Sequence, residues 1–164
     1  MGAGDSGIEQ LLGLLDEAYK RKSWHGTNLR GSVRGLTAEQ AAWRARPGGR
    51  SIAEIVVHCA YWKYAVRRRL RREKRGSFPL KGSNWFKLIE PFAEAAWRGY
   101  VALLDEQHET LAAAIAALRP RDLAASPRGS QVDNAKLIRG VALHDVYHAG
   151  QIQTIKGCGR QASA

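Results

Sequence analysis

Leu137, Val141, Ile152 and Ile155 fall within one narrow sector of a helix drawn from about Asn134 to Lys156, and the centre of that sector is held by His144 and His148. This restricts the fold more than any other feature of the chain. A helix with two imidazoles four residues apart on its inward stripe must lie in a core whose other walls satisfy them, because buried polar groups need partners. Two arrangements meet that demand. The rings can share one metal ion, or each can hydrogen-bond separately to a neighbouring helix. Their position at the middle of the apolar face, rather than at its edge, favours the shared ion.

Three further segments have the helical period, and none alternates as a strand does. Ser6-x-x-Glu9 has the form of a capping box, followed by Ile8, Leu11, Leu12, Leu15 and Tyr19. A first helix is expected from about residue 7 to 34, weakened in its second half by Gly26, Gly31 and Gly35. Thr37-x-x-Gln40 caps a short helix that stops before the turn Pro47-Gly48-Gly49. Ser51-x-x-Glu54 opens a helix over 51–73 with its core face at Ile52, Ile55, Val56, Cys59, Val66 and Leu70. His58 lies at the flank of that face, pointing at the next helix, whereas Cys59 is turned about 100° away and reads as a small core residue. Residues 76–90 form a connection that carries Phe78, Trp85 and Phe86, aromatic enough to cover one end of the core or to act as the lid of a pocket. Pro91 suits the first turn of a helix over 91–118, striped by Phe92, Ala96, Tyr100, Leu103, Leu104, Leu111, Ile115 and Leu118, with His108 at its edge and read as a surface residue. Pro127, Gly129 and Ser130 fill the next connection, Asp133 or Asn134 caps the last helix, and Gly157 and Gly159 end it.

The expected fold is therefore all-α: an up-down-type four-helix bundle, with a short extra helix between its first and second helices, in a single domain over 1–164. At 164 residues, with 45% hydrophobic and 25% charged residues, the chain can bury one core and is not disordered in bulk. The N-terminus has neither a basic start nor a long apolar run, so no signal peptide and no membrane span are expected. Cys59 and Cys158 lack zinc-finger spacing and do not form a disulfide framework, and a cytoplasmic location follows by default. The net charge of +11 and pI near 10.2 invite a nucleic-acid reading. Much of that charge sits in Arg67 to Arg75, a run that also suits a solvated helix C-terminus.

In a bundle, a third ligand for His144 and His148 should come from another helix, and His58 is the best placed. Three imidazoles without a carboxylate suit zinc or nickel and disfavour magnesium or calcium. They leave a fourth position for water or substrate, as catalytic sites do. Glu54, one turn before His58, is a candidate base or ring-orienting group and equally a helix-start residue. His25 could reach the open side if the first helix runs straight through Trp24, and Gln151 could be a pocket hydrogen-bonding group. Asp145 and Tyr147 flank the ligands but are expected off the stripe.

The run Ser51-Ile52-Ala53-Glu54-Ile55-Val56-Val57-His58, followed by His144-x3-His148-Ala149-Gly150-Gln151-Ile152, resembles the DinB/YfiT-like superfamily, as does the segment from Trp43 to Pro47-Gly48. The resemblance implies a four-helix bundle with His58, His144 and His148 as ligands of a divalent metal. Some members of that superfamily are thiol-dependent transferases or isomerases and others resemble metal-dependent hydrolases. It thus implies a small-molecule substrate, a low-molecular-weight thiol among the candidates, and a homodimer through helix faces, with Trp97 and Tyr64 as candidate contact residues. Two other readings stay open: a nucleic-acid-binding module using Arg67 to Arg75, and a metal-stabilised bundle without turnover.

Overall fold

The computed structural model describes the backbone of residues 3–127 and 130–162, and the side chains of 7–127 and 130–161. Among the described residues six α-helices follow one another: α1 (Ala3–Tyr19), α2 (Leu29–Ser32), α3 (Ala38–Ala42), α4 (Ile52–Leu70), α5 (Glu94–Ala116) and α6 (Asn134–Ala162). Among the described residues there is no strand, only an isolated bridge between Ser23 and Gly26.

The long helices α1, α4, α5 and α6 make the bundle. Helix α4 packs on α5 and α6, and α1 closes the ring against the same two. The buried residues fall into two clusters. One joins the first half of α4 and of α5 to Ala149 and Ile152 near the end of α6, while the other joins Val66, Leu111 and Ile115 to α1 and to the start of α6. Helices α4 and α5 therefore run one way, and α1 and α6 the other. This up-down-down-up order refines the expected bundle. Its physical basis is the long connection over 71–93, since two neighbouring helices that run parallel need a return path as long as the bundle.

Local signals set most boundaries. Ser51 caps α4 as expected: its hydroxyl accepts from the Glu54 N–H, and the Glu54 carboxylate accepts from the Ser51 N–H. Thr37 and Gln40 do the same for α3, and Asp133 Oδ1 accepts from Lys136 N at the start of α6.

Three helices depart from expectation. The first does not run over 7–34: α1 already begins at Ala3, so Ser6 lies inside it, and the bond expected of the Ser6 side chain lies outside the described residues. It stops at Tyr19 because the chain turns through Gly26 at φ +110° and restarts at Asn28, whose side chain caps α2 and also donates to the Arg21 carbonyl. Helix α5 begins three residues after Pro91, with Ala93 as an N-cap that offers no side-chain bond. Helix α6 continues through Gly157 and Gly159 to Ala162, held there because Gly159 lies against the Trp43 ring, 3.6 Å from where a Cβ would stand. Gly129, expected in the connection before α6, lies outside the described residues.

Candidate metal centre

Capping by Ser51 fixes the start of α4 and brings His58 two turns along it to the face that meets α6. There the Nε2 atoms of three histidines converge. His58 Nε2 lies 3.0 Å from His144 Nε2, and His148 Nε2 lies 3.1 Å from the same atom.

The opposite ring nitrogens say what these atoms are. His58 Nδ1 is 2.8 Å from the Asn84 carbonyl, which can only accept, so the proton is on Nδ1 and Nε2 is bare. His148 Nδ1 is 2.8 Å from Gln151 Oε1 and is assigned its proton on the same reasoning. His144 Nε2 can donate to one of these lone pairs at most. At least one bare nitrogen is then left with no proton to accept, a deficit that a cation shared by the three nitrogens removes. Their spacing is close to what bonds of about 2 Å to one ion require.

The electrostatics favour the same occupant. Burial lowers the His58 pKa to about 4, helped by His148 and Arg50 and resisted by the Asn84 carbonyl. Burial, then His148, His58 and Lys63, lowers His144 to about 3, and burial lowers His148 against the pull of Gln151. All three are therefore neutral at pH 7, as metal ligands must be.

The aromatic connection packs over this cluster. Trp85 stacks on the His58 ring at 3.9 Å and 7° between planes, and the Arg50 guanidinium lies 4.4 Å from the centre of the Trp85 ring. Asn84, at φ +63°, turns its carbonyl to His58 and accepts from Trp62 Nε1 through its side chain at 3.0 Å. Phe86 is buried and Phe78 packs on the same core cluster, so the segment covers the core as well as the histidines.

A model of the DinB superfamily matches residues 23–152, well over half of the chain. The chain belongs to the DinB superfamily. Among the curated proteins and the solved structures nothing matches. The stretch that carries the DinB match contains all three histidines and both capping boxes that the structure bears out, and it omits α1.

Other residues singled out in the sequence fall differently in this DinB chain. The Glu54 carboxylate is filled by the Ser51 N–H, by Arg44 at 2.6 Å and by Arg50 at 3.2 Å, so it serves the helix start and holds the preceding loop. Burial pushes its pKa up, but the Ser51 N–H and Arg44 outweigh that and leave it below the usual range. His25 is exposed in the turn after α1 and is not part of the cluster, since the chain bends at Gly26 instead of continuing as helix. Gln151 orients His148. Tyr147 is exposed as expected, whereas Trp97 is buried in the core and Tyr64 is buried beneath the 76–90 connection, against Phe78. Both cysteines are free. Cys59, His144 and Asp145 also place one donor each within 4.8 Å of one another. Cys59 is nonetheless the core residue expected: burial raises its thiol pKa well above normal, so it carries no thiolate.

Two expectations are overturned one turn away. Asp145 does not point off the stripe, and His108 is not on the surface; they are 0% and 1% exposed. Asp145 pairs with Lys63, itself 0% exposed, and the Lys63 ammonium lies 3.5 Å from His108 Nδ1. His108 stacks on Tyr19 at 4.0 Å and reaches Asp16 Oδ1 at 3.3 Å, while Tyr19 donates to Asp105. Lys63 was the missing signal: a lysine between Cys59 and Val66 on an apolar stripe can stay only if another helix brings it a carboxylate.

Proposed function

We propose that this DinB chain is a metal-dependent enzyme in which His58, His144 and His148 hold a divalent transition ion, zinc or nickel by donor chemistry, and act on a small-molecule substrate. The observation that carries this reading is the convergence of the three Nε2 atoms, two of them left bare because the opposite ring nitrogen donates to the Asn84 carbonyl or to Gln151. When bound, such an ion supplies Lewis acidity that makes a thiol or a water molecule easier to deprotonate near neutral pH. The chain's own part is orientation and dryness. Asn84 and Gln151 lock two tautomers, Trp85 covers the His58 ring, and the neighbouring apolar cluster keeps the imidazoles neutral. With three protein donors the fourth position is left for the reactant, which supports turnover over a purely structural ion.

Metal analysis of the purified protein and of His144→Ala tests this. About one ion per chain in the wild type and none in the variant is expected, with thiol-transfer and hydrolysis assays losing turnover in parallel. Wild-type protein that takes up no zinc or nickel would overturn the reading. Stoichiometric metal that raises stability, with no reaction across a panel of thiols and esters, would make it a structural centre instead.

A further inference from the structure

Beside the histidine cluster a concave groove of about 700 Å³ runs along α4, and no carboxylate lines it. Its wall holds four basic residues, Arg68, Arg69, Arg75 and Lys81, and its floor includes Trp62 and Phe78. Arg67 and Arg71 of the same basic run are different: both pair with Glu73, at 3.4 and 3.8 Å. Glu73 thus neutralises two members of the run that do not line the groove. Among the described residues, Arg69, Arg75 and Lys81 have no carboxylate within ion-pair distance.

His58, Trp62, Ala65 and Arg69 lie on one line of α4, at steps of four, three and four residues. At 1.5 Å per residue, Arg69 stands roughly 16 Å along the axis from His58, with Trp62 between them. Asn84 closes the near end, bonded to both Trp62 and His58. A ligand gripped at the arginines therefore extends along Trp62 toward Asn84, the residue that bonds His58.

We propose that this groove binds the anionic end of a planar organic acid, a carboxylate or sulfonate on an aromatic or conjugated body. The guanidinium groups meet the acid group, and Trp62 and Phe78 meet the flat body. A concavity of this volume suits a small molecule, whereas a phosphate backbone wants a basic stripe it can follow. That the acid is the substrate rests on the metal reading above; that the groove binds it does not.

Calorimetric titration with 2-naphthoate and with its uncharged counterpart 2-naphthamide tests the groove, on metal-free protein and again after zinc loading. We expect naphthoate to bind about tenfold or more tightly than naphthamide, in keeping with charge-assisted hydrogen bonds. Arg69→Ala and Arg75→Ala should each lose about that factor, while Arg34→Ala, exposed elsewhere, should lose nothing. Equal binding of acid and amide, or wild-type affinity in the double Arg69/Arg75 variant, overturns the proposal. So does an oligonucleotide that binds with a steep salt dependence while naphthoate does not bind at all. Naphthoate binding that survives in a protein unable to take up zinc keeps the groove and removes only the metal reading.

Discussion

Asn84 shows how much one residue can govern here. Its backbone sits at φ +63°, where asparagine and glycine are tolerated and a β-branched residue is strained, and its carbonyl fixes which nitrogen of His58 is bare. Asn84→Val should shift that carbonyl and weaken zinc affinity by about tenfold or more, as loss of a ring-orienting partner does. Asn84→Gly should keep it. Competition against a chromophoric chelator distinguishes them, and equal affinity in all three proteins would mean that His58 needs no orienting group. Acid sensitivity belongs to the same scale. His58, His144, His148 and His108 all have folded pKa values below the ordinary 6.5, with His144 and His108 near 3. The unfolded chain then binds more protons than the folded one as pH falls from 6.5 toward 3, so acid destabilises metal-free protein in that window. Asp145, raised to about 6 by burial against the pull of Lys63, works in the opposite sense, but one carboxyl faces four imidazoles. Urea midpoints at pH 7 and pH 5 should show the drop, and His108→Gln should make it shallower.

Between elements, the decisive contact is the ion pair of Lys63 on α4 with Asp145 on α6. Both are wholly buried, so removing one partner strands the other charge. Lys63→Met should cost about 3–5 kcal/mol, whereas replacing both partners by apolar residues should cost much less. Chemical denaturation of the single and double variants measures this, and a double variant as unstable as the single would show that the pair's worth lies elsewhere. This layer also marks where sequence reasoning stops. The His144/His148 spacing was legible because both rings share one helix stripe, and His58 because it flanks another. Lys63, His108 and Asp145 were not, since each is a single polar residue in its own apolar stripe and only helix packing brings them to one level. Helix ends divide in the same way. Ser51 and Thr37 announce their boundaries by local bonds, but α6 runs past two glycines because a distant tryptophan, Trp43, packs on it.

For the molecule as a whole, an ion held as proposed by His58 on α4 and by His144 and His148 on α6 would link two helices far apart in sequence, so that binding it would also be stabilisation. Free zinc at about 100 times its dissociation constant should add about 2.7 kcal/mol and raise the thermal midpoint by several degrees, an increment that a chelator abolishes and that His148→Ala never shows. Among the described residues no helix is long and apolar enough to cross a membrane. The two buried clusters, one on each side of the Lys63 layer, give the bundle a division of labour. Mutational change around the histidines should be tolerated so long as the far half, where Leu15, Leu111, Ile115 and Ile138 interlock, stays intact. A scaffold partitioned in this way can change the residues at its histidine-bearing end without having to rediscover how to fold.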